Sequence, residues 1–193
     1  LGGVVEDLRM PDNIVYASER DNVVLVEGFE PNLNWLDFID ALLELAKRFG
    51  AKRLYAIGGM IDNVEEPKVS AVISSPRLRE EMLRNGVGLI DYRGPCSMYT
   101  PLMRLCDQRG VEGVSLWGHV PYRFFAAIAQ LGVADAITAK AVLEKLVRLS
   151  GISLDLSDVE RQEQQLRSMI RSMKPPRTLE KKISPDEFPA YIL

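Results

Sequence analysis

The sequence contains a single histidine and only two cysteines, and two of these three residues are placed where they could act together. Cys96 lies in the turn Gly94-Pro95-Cys96-Ser97, before a predicted helix that Ser97 can cap. A helix N-terminus favours the thiolate form of a cysteine, and His119, after the next predicted strand, could serve as its base. The structural alternative is that Cys96 packs as a small apolar side chain while His119 satisfies backbone groups.

Two groups of polar residues offer other chemistry. Asp62, Glu65 and Glu66 are three carboxylates in five residues, which could hold a hard cation if further oxygens converged on them. Glu30 and Asn32 precede a predicted helix, whose N-terminus could bind an anion. In both cases the plainer interpretation is a solvated or turn-shaping loop, so we predict no metal site and no cofactor.

These residues lie in four Gly- or Pro-containing loops, each of which follows an apolar, β-prone run. Strands that alternate with helices predict an α/β fold with a mostly parallel sheet, whose strand ends share one edge. We therefore expect a ligand or contact site on that edge. The loops are 28–32, 58–62, 93–97 and 117–121, and their candidate residues are Glu30, Asn32, Gly58, Gly59, Asp62, Gly94, Pro95, Ser97, Trp117, His119 and the following Tyr122.

The remaining pattern supplies the elements that position these loops. Alternating apolar residues predict a hairpin of strands Ile14–Ala17 and Val23–Glu27. An apolar stripe, with Asn34 as N-cap and Gly50 as its end, predicts a first helix. Further strands are predicted at 52–57, 69–73, 87–92 and 113–117, and further helices at 76–84, 97–108, 123–130 and 135–149.

The C-terminal part differs from the rest of the chain. Apolar residues spaced three and four apart between Leu156 and Met173 predict an amphipathic helix, packed on its own domain or on a partner. The prolines after Lys174 end it. We predict an α/β domain over 1–153, this helix within 154–174, and a charged, mobile tail over 175–193. Since the chain begins at Leu1, we expect that an N-terminal segment is missing.

Composition excludes several classes of protein. The 193 residues are 47% hydrophobic, enough for a substantial core, and the net charge of -3 lacks the basic stripe that nucleic acid binding requires. No run approaches the roughly 18 apolar residues of a membrane span. We therefore expect a cytoplasmic protein that binds neither nucleic acid nor membranes. Phosphate-loop, zinc-protease and serine-hydrolase sequence motifs are missing from the chain.

Several motifs, taken in order, resemble those of the proteasome assembly chaperone family, especially its archaeal and bacterial members of unassigned role. They are Glu30-Pro31-Asn32 with Trp35 and Phe38, Gly58-Gly59 with Asp62, Gly94-Pro95 with Ser97, and the segment 115–122. The similarity runs from about Pro11 to Met173. It does not extend to the C-terminus, where Ile192 stands at the position that chaperones docking in proteasome pockets often fill with tyrosine.

The resemblance implies a three-layer α/β/α domain of the phosphorylase or nucleoside-hydrolase type, often assembled into homo-oligomers. It also implies a non-enzymatic assembly or scaffold protein whose partners include proteasome α-subunits, because eukaryotic relatives act in that way. Two alternatives remain open. One is an enzyme or sensor that binds a nucleoside- or phosphate-like ligand at the strand edge, and the other is a homo-oligomer with no client.

Overall fold

A computed structural model describes residues 12–173. The predicted missing N-terminal unit and the predicted tail over 175–193 both fall outside the described residues. The chain divides into two compact units, one ending at Gly50 and the other beginning at Ala51.

The first unit contains the predicted hairpin. Strands β1 (Ile14–Ser18) and β2 (Val23–Glu27) pair antiparallel, with Tyr16 opposite Leu25. The turn closes through the Asn22 N–H, which donates to the Glu19 carbonyl at 3.3 Å. Asn22 has a φ of 52°, a left-handed conformation that asparagine tolerates better than most residues.

Helix α1 (Trp35–Arg48) completes this unit and buries Ile39 and Leu43. Asn34 occupies the predicted N-cap position, but it does not cap by the predicted mechanism. Its φ of 59° is left-handed, and its side chain makes no capping hydrogen bond. Instead, the indole Nε1 of Trp35 donates to the Pro31 carbonyl at 2.7 Å and links the helix to the preceding turn.

The second unit is built on a four-stranded sheet of β3 (Arg53–Asp62), β4 (Lys68–Ile73), β5 (Gly88–Leu89) and β6 (Glu112–Pro121), in the order β3-β6-β4-β5. The pairs β3/β6 and β4/β5 are parallel, which confirms the predicted mostly parallel sheet. Strand β4 runs antiparallel to β6. The connection 63–67 between β3 and β4 is too short for a parallel return, which needs about a dozen residues or more. Strand β4 therefore runs opposite to β3, and so also opposite to β6, which is parallel to β3.

Helices cover both faces of this sheet. A Cβ added at Gly113 would meet Cys106 and Met103 of α3 (Tyr99–Gln108) at 2.9 Å, so this helix packs closely on one face. On the opposite face, a Cβ at Gly118 would lie 2.6 Å from Thr138 of α5 (Ala136–Ser150). The three layers predicted from the resemblance are therefore present.

The remaining helices complete the α5 side. A 3₁₀ turn (Pro76–Leu78) leads into α2 (Arg79–Arg84), and α4 (Tyr122–Leu131) follows β6 directly. Helix α6 (Ser157–Ser172) buries Leu166 against Phe124 and Ile137. It therefore packs on its own unit, which is the first of the two alternatives given for this helix. Within residues 12–173, every helix is too short or too polar to cross a membrane.

Several predicted boundaries were wrong. Strands β3 and β6 each continue for ten residues, through the predicted loops 58–62 and 117–121, and these two segments pair with each other. The predicted strand 87–92 is reduced to Gly88–Leu89. Helix α3 begins at Tyr99, and Ser97 contributes its carbonyl oxygen, which accepts from the Thr100 N–H at 3.1 Å.

Two glycines were predicted to end β3, and both lie within it, but only Gly58 is required there by packing. The ring of Trp117 covers Gly58, where an added Cβ would lie 2.9 Å from the indole carbons. At Gly59 the nearest atom to an added Cβ is the Gly118 oxygen at 4.0 Å.

We expect Gly58→Ala to lower the free energy of unfolding by about 1–3 kcal/mol, because Trp117 must move to accept the methyl group. Gly59→Ala is the matched control, since it adds the same methyl group at the neighbouring residue, where the nearest atom is 4.0 Å away. Urea denaturation of both variants measures the difference. Equal stability of the two variants would show that the contact between Trp117 and Gly58 is not tight.

Candidate functional site

The only histidine of the chain is buried at the centre of a polar group on the α3 side of the sheet. His119 is 6% exposed. Its Nδ1 lies 2.7 Å from Oδ2 of Asp62, and its Nε2 lies 2.5 Å from Oγ of Ser70. The imidazole therefore connects a carboxylate on β3 with a hydroxyl on β4.

Strand register brings these side chains together. His119 pairs with Met60 on β3 and with Lys68 on β4, so all three residues project to the same face. Side chains alternate along a strand, which places Asp62 and Ser70 on that face as well, each two residues further along. We predicted a site at one edge of the sheet, formed by four loops. The polar group around His119 instead spans three adjacent strands.

The charges around His119 fix its protonation. Lys68 Nζ lies 3.2 Å from Asp62 Oδ2, so the carboxylate has two cationic or donor partners. Burial acts to raise the pKa of the Asp62 carboxyl, but the hydrogen bonds from His119 and Lys68 outweigh it and hold that pKa below its usual range. Burial lowers the pKa of His119, against the opposing hydrogen bond to Asp62.

A neutral His119 satisfies both contacts in one tautomer. The Nδ1–H donates to the Asp62 carboxylate, and the lone pair of Nε2 accepts from the Ser70 hydroxyl. This arrangement can withdraw the Ser70 proton and stabilise the resulting imidazolium against Asp62. It is the arrangement of an acid–base relay.

The predicted partner of His119 is not the one that the structure provides. Nδ1 of His119 binds Asp62 and Nε2 binds Ser70, so neither nitrogen is left to act as a base for Cys96. Cys96 itself is exposed. The second cysteine, Cys106, is buried, and burial raises the pKa of its thiol to about 11. This thiol is protonated at neutral pH.

The other predicted site residues lie on several elements of the two units. Gly58 and Gly59 lie inside β3, Trp117 packs on Gly58 and meets Tyr99 edge-on at 5.4 Å between ring centroids, and Tyr122 begins α4. Gly94, Pro95 and Ser97 lie in the segment between β5 and α3, and Glu30 and Asn32 belong to the first unit. Their functional roles stay predictions.

The three carboxylates considered as cation ligands, Asp62, Glu65 and Glu66, do not form one site. Asp62 binds His119 and Lys68, whereas Glu66 binds Arg123 at 2.8 Å and Arg167 at 3.0 Å. Across residues 12–173, no three His, Cys, Asp or Glu side chains come together as a metal site. Glu66 instead connects α6 to the end of β3.

Sequence reasoning missed Ser70 and Lys68. Both lie on β4, where they look like ordinary alternating strand residues, and only the antiparallel register with β6 brings them to His119. The one available signal was the lone histidine, which, once buried, must find two polar partners.

We expect the stability of the protein to fall as the pH drops from 7.5 to 5.5. The pKa of His119 is lowered in the folded state, so the unfolded chain takes up a proton first as the pH passes below about 6.5. Thermal unfolding at several pH values measures the effect, and no other histidine contributes to it.

His119→Gln is the control, because an amide side chain does not titrate. Its melting temperature is expected to be lower than that of the wild type at pH 7.5 and nearly constant down to pH 5.5. A wild-type melting temperature that stays constant or rises over this interval would contradict the buried, neutral state of His119.

Comparison with known proteins identifies the family. The chain is 24% identical over 144 residues to the uncharacterized protein MJ1210 of Methanocaldococcus jannaschii, covering 70% of this chain and 50% of that protein. The chain therefore spans about half the length of this curated relative.

Two solved structures share the fold. One is the proteasome-assembly chaperone homologue Rv2125 of Mycobacterium tuberculosis, with a TM-score of 0.70 and 21% identity, covering 90% of this chain and 73% of that one. The other is PbaB of Pyrococcus furiosus, an archaeal proteasome activator, with a TM-score of 0.61 and 20% identity, covering 83% and 70%. The PAC2 family model matches residues 2–174, and the chain belongs to the PAC2 family.

Proposed function

We propose that this protein is an assembly or scaffold factor for proteasome subunits, and that this role depends on protein–protein contacts and not on catalysis. The observation that carries the proposal is the match of the PAC2 family model to residues 2–174. Structural relatives described as a proteasome-assembly chaperone homologue and a proteasome activator support the same direction. Because a fold alone does not determine a function, the proposal also requires a surface on this chain that could bind a proteasome subunit.

The hairpin of the first unit offers such a surface. Ile14, Val15 and Tyr16 are consecutive residues of β1, and they are 44%, 45% and 48% exposed. Because side chains alternate along a strand, apolar side chains are exposed on both faces of the hairpin. On β2, Leu25 is 56% exposed opposite Tyr16.

Such exposure is unusual for a strand pair. A two-stranded hairpin is marginally stable alone, and contiguous exposed apolar surface marks interaction sites. We propose that a proteasome α-subunit covers this surface. Assembly of this chain into a homo-oligomer through other surfaces is a second part of the proposal.

The alternative predicted function, a nucleoside- or phosphate-like ligand site at the strand ends, has weaker support. It relied on four adjacent loops, and segments 58–62 and 117–121 are paired strands instead. A thermal-shift screen with nucleosides, nucleotides and phosphate tests it directly.

We expect the tagged full chain to capture proteasome α-subunits from a native lysate, with the double variant Tyr16→Ser and Leu25→Ser reducing recovery by about tenfold or more. The two substitutions remove a cross-strand apolar pair from the exposed hairpin. Quantitative mass spectrometry of the eluates measures the recovery.

Leu83→Ser is the matched control, since Leu83 is also 56% exposed but lies on α2 of the second unit. Its recovery of α-subunits should equal that of the wild type. Failure of the wild type to capture any α-subunit would contradict the proposed function. Equal recovery by the hairpin variant and the control would contradict the proposed surface.

A further inference from the structure

Ser70, His119 and Asp62 are connected in the order that serine hydrolases use. Ser70 Oγ contacts His119 Nε2 at 2.5 Å, and His119 Nδ1 contacts Asp62 Oδ2 at 2.7 Å. Such triads occur on unrelated folds and in different chain orders, so they are recognised by geometry and by the role of each group. Most side-chain hydrogen bonds go to backbone or water, which makes a serine hydroxyl directed at a buried imidazole uncommon.

The strand pairing gives Ser70 one crowded neighbour and one open neighbour. On one side Ser70 pairs with Trp117 of β6, which is buried and meets Tyr99 edge-on. On the other side it pairs with Gly88 of the edge strand β5, where an added Cβ would meet nothing within 4 Å. Gly88 is exposed, so the missing side chain leaves open space beside the hydroxyl.

This opening limits what can reach the hydroxyl. Ser70 is 7% exposed and His119 is 6% exposed, so a reactant must be narrow. We infer that it enters over Gly88, where an added Cβ would meet nothing within 4 Å. A small acyl group fits this description, whereas a folded protein or a peptide backbone does not.

We propose that Ser70 is a nucleophile for small carboxylic esters, with His119 as its base and Asp62 and Lys68 as positioning residues. This goes beyond the proposed scaffold function and does not depend on it. Asp62 holds the Nδ1–H tautomer of His119, and Lys68 holds Asp62 in its ionised form at 3.2 Å.

The reaction balances with an ester and water as the only reactants. Ser70 Oγ attacks the carbonyl carbon and its proton passes to His119 Nε2. The bond from that carbon to the leaving oxygen breaks, and the leaving alkoxide takes the proton from Nε2. A water molecule then gives its proton to Nε2 and attacks the acyl group, which releases the carboxylic acid and returns the proton to Ser70.

A fluorophosphonate probe tests the nucleophile directly. Ser70 Oγ forms a bond to phosphorus, fluoride leaves, and the serine proton passes to His119. We expect the full-length protein to gain one probe mass, located to Ser70 by peptide mapping. His119→Gln should slow labelling by about 100-fold or more, which is the usual effect of losing a general base.

Two further variants separate reactivity from folding. Gly88→Val places a side chain over the opening without touching the relay, so labelling should fall at least tenfold while the melting temperature keeps its dependence on pH. Ser115→Ala is the control, because Ser115 is a fully buried serine on β6 whose hydroxyl has no hydrogen-bond partner, and its labelling rate should equal that of the wild type.

The rate of labelling should also depend on pH as the ionisation of His119 requires. It is expected to rise with pH as His119 loses its proton, with a midpoint below about pH 6.5, since burial lowers the pKa of the base. Absence of probe on Ser70, under conditions in which a known serine hydrolase is fully labelled, overturns the proposal. Labelling that persists unchanged in His119→Gln overturns it equally, and capture of α-subunits affects neither result.

Discussion

A buried histidine must satisfy two ring nitrogens, and in this protein that requirement ties three adjacent strands together. Asp62 reaches His119 from β3, Ser70 reaches it from β4, and His119 itself lies on β6. Leaving either nitrogen unpaired would cost on the order of 1–3 kcal/mol. The register of both strand pairs and the length of β3 and β6 are therefore coupled to one side chain.

The rest of the second unit is consistent with this constraint. Gly58 allows Trp117 to lie flat against β3 next to the relay, and Gly113 and Gly118 allow helices to approach both faces of β6. The ion pairs of Glu66 with Arg123 and Arg167 hold α6 near the loop that follows Asp62. These polar contacts lie near the ends of the strands, while one apolar core cluster lies between the sheet and α5.

Much of the fold could be predicted from local pattern, and most of the site could not. The hairpin, the helices and the alternation of elements depend on spacing and on terminating glycines such as Gly50, Gly110 and Gly132, all left-handed. Gly58 and Gly118 are glycines for a different reason, because other residues pack closely on them inside strands. Sequence alone does not distinguish a glycine that ends a helix from one that allows close packing. The pairing of Ser70 with His119 depends on strand register, a long-range property that no local motif encodes.

The family and the site point to different parts of the molecule. The proposed scaffold function concerns protein contacts, and the surface proposed for them is the exposed hairpin. The relay lies instead in the second unit, on the sheet face covered by α3. One chain can carry both, because a scaffold surface and a small reactive group use different residues.

The central claim is that His119 is a neutral, buried imidazole that donates from Nδ1 and accepts at Nε2. Nitrogen NMR of the single imidazole, in protein labelled with ¹⁵N at histidine, measures its tautomer and charge without assignment of other residues. The account predicts a protonated Nδ1 and an unprotonated Nε2 at pH 7.5. A rapidly exchanging mixture of tautomers, or a proton on Nε2, would contradict it.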